Sequence, residues 1–339
     1  MTSIVVAAGG TGGHIYPGLA VADAIRDLDP SAEITFVGTP RGLEQKLITR
    51  YPLVLVDMLP WQGSRRIPQF VWATARATAQ VLRRVRADAV VAMGGYPSLP
   101  TVIGARMRGV PVVIHESGAT AGRANRVAAR FTPNIAVSFA SALFPRRAPR
   151  VTGMPLNAAN LTGNPEAYPK PMVFITGGSQ GSVRLNELAV GLAKRWNGRD
   201  ITIVLKTGRD HPVESGGVLQ AYDYLDSIGD AYASASIVVT RAGASTVAEL
   251  AAWGLPSILV PYPYALDNDQ DYNAAVLAEV GGARVVKDAD ATADVIGPML
   301  EELLAQPDAL AAMGAAAQTV GYKDAAQTLA QWVLDLASR

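Results

Sequence analysis

Ile4-Val-Val-Ala-Ala-Gly-Gly-Thr-Gly-Gly13 and Met172-Val-Phe-Ile-Thr-Gly-Gly-Ser-Gln-Gly181 share one design: an apolar run of strand length, a glycine turn, then a helical pattern. The two turns lie 168 residues apart, half of the 339-residue chain. Outward from the first, residues 34–38, 53–57, 89–93, 112–115 and 135–138 read as strands, alternating with helical stretches at 17–28, 42–50, 68–86 and 97–107. Outward from the second, strands at 201–206, 237–240 and 258–261 alternate with helices near 183–196, 245–253, 269–280 and 292–306. A last helix covers about 324–337. Short buried runs alternating with helices predict parallel sheets covered on both faces. The expected fold is therefore α/β, two Rossmann-like domains facing across a cleft, with ligands at the carboxyl ends of the strands. Residues 1–154, joined by the helix at about 324–339, make the first expected domain and 155–323 the second. Residues 145–171, rich in Pro, Gly and Asn without sustained periodicity, read as the linker.

Composition narrows the chemistry. With 49% hydrophobic residues the chain is not disordered. The absence of cysteine removes disulfides, thiolate metal sites and a cysteine nucleophile, and three histidines (His14, His115, His211) make a poly-histidine metal site a poor reading. Residues 1–10 lack a basic n-region, and every apolar stretch is interrupted before about 18 residues, so neither a signal peptide nor a transmembrane helix is expected and the chain should stay in the cytoplasm. The net charge of +1 argues at first against a nucleic-acid or membrane partner. Resolved along the chain it is a cancellation. Residues 1–154 carry 18 basic and 8 acidic groups, or +10, and residues 155–339 carry 12 and 21, or −9.

The 9–13 turn lacks the third glycine of the dinucleotide fingerprint, since Ile15 stands there, and no acidic residue ends the next strand. It also lacks a P-loop ending. What remains is a turn whose N–H groups can face an anion or a sugar, or simply join a strand to a helix. A third glycine turn, Thr240-Arg-Ala-Gly-Ala-Ser-Thr-Val-Ala-Glu249, places Ser245 and Thr246 at a helix start, where open N–H groups and the dipole suit a diphosphate. Glu249 reads either as a dipole-favoured acid or as the acceptor for both ribose hydroxyls. His14, expected before its helix begins, is a candidate general base or a helix cap. His115 and Glu116 end another strand on the same side of the same sheet; His211 reads as solvated. Asp267-Asn-Asp-Gln-Asp271 could suggest Mg²⁺, but acids opening a helix are common, and Asn268 and Gln270 suit sugar hydroxyls.

These residues together resemble the MurG family of peptidoglycan N-acetylglucosaminyltransferases, over essentially the whole length. The likeness rests on Gly9-Gly-Thr-Gly-Gly-His14 with Pro17-Gly18, Gly94-Gly-Tyr96, His115-Glu116, Gly177-Gly-Ser-Gln-Gly181 with Leu185-Asn186, Ala242-Gly-Ala-Ser-Thr-Val-Ala-Glu249, Gly254-Leu-Pro256, and Gln270 before Asn273-Ala274. The resemblance implies the GT-B fold, UDP-N-acetylglucosamine as donor, inversion at the anomeric centre, and no required cofactor, with Mg²⁺ not essential. It implies transfer to lipid I, giving lipid II. Thr11, Gly12, Gly13 and Tyr96 would sit near the reacting groups, with His115 and Asn157 among the substrate-binding positions. Ser179 would lie at the nucleotide, Leu225 would offer its backbone to uracil beside Tyr224, and Ala244, Ser245 and Thr246 would hold the diphosphate. Glu249 would take the ribose and Gln270 the sugar hydroxyls, with Gln180, Val247, Ala248 and Asp271 as further substrate-binding positions. Two positions depart from the family pattern: Gly118 replaces a donor-binding asparagine and Asn157 a hinge arginine.

On this reading His14, assisted by His115 and Glu116, deprotonates the acceptor hydroxyl, with Glu116 as the alternative base. Between residues 58 and 87 six arginines and no acid are interleaved with aromatics. Trp61, Arg65, Arg66, Phe70, Trp72, Arg76 and Arg83 read as a face for the anionic inner leaflet, or as an ordinary solvated helix with arginine stems over a core. The expected setting is peripheral, on the cytoplasmic side of the cell membrane, without nucleic acid and with cell-wall or division proteins as further partners. A binding paralogue that has lost turnover, and a GT-B enzyme with another lipid acceptor, are the alternatives.

Overall fold

The computed structural model of the chain describes residues 1–57, 67–208 and 211–339, without the side chains of 67–69. They form two compact units, Met1–Asn157 with Lys323–Arg339, and Ala158–Tyr322.

In the first unit the order is β1 (Ser3–Ala7), α1 (Gly12–Leu28), β2 (Glu33–Gly38), α2 (Glu44–Leu47), β3 (Leu53–Leu55), α3 (Ile67–Arg84), β4 (Ala89–Ala92), α4 (Ser98–Arg108), β5 (Val112–Glu116), α5 (Arg123–Ala128), β6 (Asn134–Val137) and β7 (Arg150–Val151). The second unit contains β8 (Met172–Thr176), α6 (Val183–Arg195), β9 (Thr202–Lys206), β10 (Leu219–Tyr222), α7 (Ile228–Ser234), β11 (Ile237–Thr240), α8 (Ala244–Trp253), β12 (Ser257–Leu259), α9 (Asp269–Glu279), β13 (Ala283–Val285), α10 (Ala293–Leu304) and α11 (Pro307–Gln318). The last helix, α12 (Ala325–Ala337), returns to the first unit and packs Leu329, Val333 and Leu336 into the core with Val21 and Ile25 of α1.

Both sheets are parallel. The first runs β3-β2-β1-β4-β5-β6-β7, and the second β10-β9-β8-β11-β12-β13. In each, the strand order reverses beside the first strand, between β1 and β4 and between β8 and β11, and helices cover both faces. That is why β1 and β8 are buried at every residue and read as uninterrupted apolar runs. The reversal opens a crevice at the carboxyl ends of these strands, where the glycine turns lie.

The segment expected to be a linker carries the chain from one unit to the other, and it is tied down. The chain changes unit at Asn157/Ala158, three residues beyond the expected boundary, and forms a 3₁₀ turn over Ala158–Leu161. Asn160 and Asn164 then bond into the second unit, to Glu249 and Trp253 and to Asp230 and Ser234. The lack of periodicity there reflects irregular packed chain rather than slack.

Helix α3 ends two residues earlier than its apolar pattern suggests. Arg86 takes a left-handed conformation (φ 52°), and Ala87 N–H reaches the Leu82 carbonyl at 2.9 Å while Arg86 N–H reaches Arg83 at 3.3 Å, the Schellman arrangement that satisfies a helix end.

Candidate active site

In the first unit the turn after β1 and the turn after β4 meet. Helix α1 begins at Gly12, not after His14 as its sequence suggests, so His14 is in the first helical turn. Thr11 is the N-cap residue, in extended backbone, and its Oγ1 lies 3.2 Å from His14 Nδ1. The ring rests on the backbone of Gly94 and Gly95, both with positive φ (95° and 77°); a Cβ on Gly94 would stand 2.6 Å from His14 Cδ2. Only glycine fits here, on both conformation and space. Tyr96 is half-exposed beside Gly10.

Burial lowers the His14 pKa from 6.5 to about 4, so the imidazole is neutral, with a free lone pair, at pH 7. With Thr11 Oγ1 as acceptor, Nδ1 carries the proton and Nε2 is the basic nitrogen. His115 is fully buried and also lowered to about 4, first by burial and further by the charge His14 would carry. Both folded-state values lie below 6.5, so the unfolded chain takes up protons first as pH falls. The contribution of these two groups to stability is complete above about pH 6.5 and declines toward pH 4. For activity, the acid limb of kcat/KM should lie well below 6.5, with the rate nearly constant down to about pH 5.5. A limb centred at the ordinary histidine value would remove a desolvated His14 from the base role.

His115 and Glu116, expected to assist His14, each hydrogen-bond to other parts of the unit. His115 Nε2 donates to the Gly153 carbonyl at 3.1 Å and lies 3.4 Å from Ser138 Oγ. The Glu116 carboxylate accepts from Gly118 N–H (3.0 Å), Gly122 N–H (2.8 Å) and Asn125 Nδ2 (3.0 Å). It is the scaffold of the loop before α5, and burial raises its pKa despite those bonds. The hydrogen bond at His14 Nδ1 is the one with Thr11 Oγ1.

A further carboxylate gives no sign in the sequence. Glu44 is fully buried under the 9–13 turn, where its Oε1 accepts from Gly10 N–H and Thr39 N–H, each at 3.0 Å. Its side chain fills a cradle of Gly9, Gly38 and Gly42: a Cβ on Gly9 or Gly42 would collide with the carboxylate, and one on Gly38 would stand 2.7 Å from Cγ. Those three glycines are the signal that could have found it.

In the second unit the turn after β8 runs into α6, capped by Ser182 Oγ accepting from Leu185 N–H at 3.4 Å. Ser179 and Gln180 are exposed at the crest of this turn. Lys206, at the end of β9, donates from Nζ to Gly178 O at 2.9 Å, and burial lowers its pKa. Helix α8 starts at Ala244 with Gly243 as N-cap and no side chain capping it, so the N–H groups of Ala244, Ser245 and Thr246 remain open. Val247 and Ala248 are buried behind them. Arg241, just before the turn, donates to Ser182 Oγ at 2.9 Å and pairs with Asp288 at 2.6 Å, locking the two turns of this unit together.

Gln270 Oε1 accepts from Ala242 N–H (3.1 Å) and Tyr262 N–H (3.0 Å). Two donors converging on one atom identify it as the amide oxygen, which leaves the NH₂ to present to a ligand. Asp271 is exposed one residue on. Strand β10 ends at Tyr222, so Leu225 (buried) and Tyr224 (exposed) fall in the loop beyond the same sheet edge. Asn157 is exposed at the change of unit. Among the described residues, no group of three or more His, Asp or Glu side chains could hold a metal ion, and no helix is long and apolar enough to cross a membrane. Trp72, Arg76 and Arg83 are exposed on α3 and Phe70 is half-buried, while Trp61, Arg65 and Arg66 lie outside the described residues.

Residues 4–137 match the glycosyltransferase family 28 N-terminal domain, and residues 172–329 match its C-terminal domain. A Nocardioides protein named UDP-N-acetylglucosamine–N-acetylmuramyl-(pentapeptide) pyrophosphoryl-undecaprenol N-acetylglucosamine transferase is 38% identical, over 98% of this chain and 98% of its own. A Mycobacterium leprae protein of the same name is also 38% identical, over 99% of this chain and 89% of its own. The crystal structure of Acinetobacter baumannii MurG superposes with a TM-score of 0.81 at 26% identity, covering 99% of this chain and all of that one. The chain belongs to the MurG family of glycosyltransferases. Both doubly wound parallel sheets are those of the MurG fold, and the glycine turns carrying the resemblance lie at the reversal points of those sheets.

Proposed function

We propose that the chain transfers N-acetylglucosamine from UDP-N-acetylglucosamine to the C4 hydroxyl of the muramoyl sugar of an undecaprenyl-pyrophosphoryl-linked muramoyl pentapeptide, converting lipid I to lipid II. What carries this reading is the full-length likeness to proteins named for that reaction. The site chemistry supports it: a neutral imidazole at one sheet end, and an uncapped helix N-terminus at the other.

His14 Nε2 takes the proton from the acceptor hydroxyl as its oxygen bonds to C1 of the donor sugar. The C1–O bond to the diphosphate breaks, and its electron pair leaves with UDP. One displacement inverts the anomeric centre and needs no covalent intermediate. Charge growing on the diphosphate is met by the N–H groups of Ala244–Thr246 and the dipole of α8. The reaction as proposed uses no metal or other cofactor. Gln270 donates from its fixed amide to sugar hydroxyls, and Glu249 accepts from the ribose.

Purified chain should release UDP from UDP-N-acetylglucosamine only when a short-chain lipid I analogue is present. UDP binding without acceptor-dependent release would favour a binding paralogue, a reading motivated by Gly118 and Asn157.

A lipid-linked acceptor gives the exposed Trp72, Arg76 and Arg83 face of α3 a purpose: docking on an anionic leaflet as a peripheral protein of the cytoplasmic side. Each basic residue near such a surface contributes about 1 kcal/mol. Binding to phosphatidylglycerol vesicles should be reversed by salt and weakened by Arg76→Glu with Arg83→Glu. Equal binding to neutral vesicles in high salt would contradict a charge-driven contact.

A further inference from the structure

Glu249 sits one turn beyond the open N–H groups of α8, and its two oxygens have different internal partners. Oε1 accepts from Asn160 Nδ2 at 3.0 Å, and Oε2 from the Tyr232 hydroxyl at 2.9 Å. Both partners are tied into the unit by further contacts. Asn160 belongs to the 3₁₀ turn Ala158–Leu161 that opens the second unit, and its carbonyl accepts from Trp253 Nε1, on the last turn of α8, at 2.8 Å. That turn is thus stapled to α8 at both Glu249 and Trp253. Tyr232, from α7, is buried with its ring edge-on to Phe174 (5.6 Å between centroids) and tilted against Trp253 (6.4 Å).

An ionised carboxylate offers about four acceptor positions. Asn160 and Tyr232 fill two of them from the protein side, so two remain for donors from outside. Two hydroxyl donors on adjacent carbons, the 2′,3′-diol of a ribose, match that remainder. A deoxyribose supplies only one, and a polar site built for a hydroxyl discriminates against an analogue that lacks it.

We propose that Asn160 and Tyr232 are positioning residues that aim Glu249 at the ribose diol, so that this unit selects ribonucleoside over 2′-deoxyribonucleoside diphosphates. The proposal rests on the reading of Glu249 as the ribose acceptor. It adds that the turn at the change of unit and α7 set the selectivity without touching the nucleotide.

The test is calorimetric titration of the full chain and of Asn160→Ala, Tyr232→Phe and Glu249→Gln with UDP and with 2′-deoxy-UDP, alongside thermal melts. The parent chain should prefer UDP by about tenfold or more, the value of one hydrogen bond to a charged group. Asn160→Ala and Tyr232→Phe should each weaken UDP several-fold and weaken 2′-deoxy-UDP, which has only the 3′ hydroxyl to lose, by less, and so compress the ratio. If both variants keep the parent ratio while Glu249→Gln abolishes it, positioning is overturned and the ribose role of Glu249 stands. Equal weakening of both nucleotides would mean a packing role only and would also overturn it. If Glu249→Gln itself leaves the ratio unchanged, the underlying ribose reading fails, and the proposal with it. Tyr232→Phe keeps the buried ring, which separates a lost hydroxyl from a lost fold.

Discussion

His14→Ala lowers turnover by about two orders of magnitude or more while leaving UDP affinity near the parent value. The expectation combines three features of one side chain. Its pKa is held near 4, so no proton has to be shed before it can act at neutral pH. Its ring plane is set by Gly94 and Gly95 beneath it and by Thr11 Oγ1 at Nδ1, so the basic nitrogen is oriented before any acceptor arrives. It also lies in the first unit, whereas the candidate nucleotide groups (Ser245, Thr246, Glu249) all lie in the second, so truncation removes proton transfer without touching them. General-base catalysis contributes about 10²–10⁴ in rate. The variant should therefore show a large fall in kcat and little change in the UDP dissociation constant by titration. A normal kcat would exclude His14 as the base.

Glu44→Ala is expected to lower stability by roughly 2–6 kcal/mol, because it strands the Gly10 and Thr39 N–H groups, each costing about 1–3 kcal/mol when left unpaired away from water. The cavity left in the cradle of Gly9, Gly38 and Gly42 adds to this cost. Activity should fall as well, since the turn held by Glu44 leads directly into the helix start that carries His14. Glu44→Gln keeps an acceptor oxygen toward both N–H groups, in nearly the same shape, and should cost less than half as much. Denaturant melts of the two variants separate these cases. A Glu44→Ala chain as stable as the parent would show that the turn holds its shape without the carboxylate.

Much of the fold was legible because the central strands are covered on both faces. Such strands must be apolar throughout, and β1, β4, β8 and β11 are buried at every residue. The missed strands have other compositions for physical reasons. The two residues of β7 lie at one sheet edge, β13 carries the partly exposed Arg284 at another, and β10 buries only its first residue and exposes its last. Helix α11 escaped notice because Ala-rich sequence (Leu310-Ala-Ala-Met-Gly-Ala-Ala-Ala-Gln318) has no apolar stripe for periodicity to detect. The pattern predicts the start of α1 at Pro17, and the helix starts at Gly12. The helix runs back through Gly12 and Gly13, against their propensity, and its first turn seats the His14 ring on the Gly94–Gly95 backbone.

The site was legible where side chains carry the chemistry in short motifs, as at His14, Ser245, Thr246 and Gln270. It was illegible where a side chain serves backbone groups distant in sequence. Glu44 bonds Gly10 across 34 residues, and Asn160 meets Glu249 across 89. Neither pairing has a spacing rule, since only the folded chain brings those groups together. Glu116 is the converse case. Its type and place suggest a base, and the structure adds that two N–H groups of its loop and Asn125 of α5 hold its oxygens.

The most direct test is to incubate the purified chain with UDP-N-acetylglucosamine and a short-chain lipid I analogue, then determine the linkage in the product. The account predicts one N-acetylglucosamine added per acceptor, β-linked at C4 of the muramoyl sugar, with one UDP released for each. An α-linked product, or UDP-N-acetylglucosamine bound with no sugar transferred to that acceptor, would contradict it.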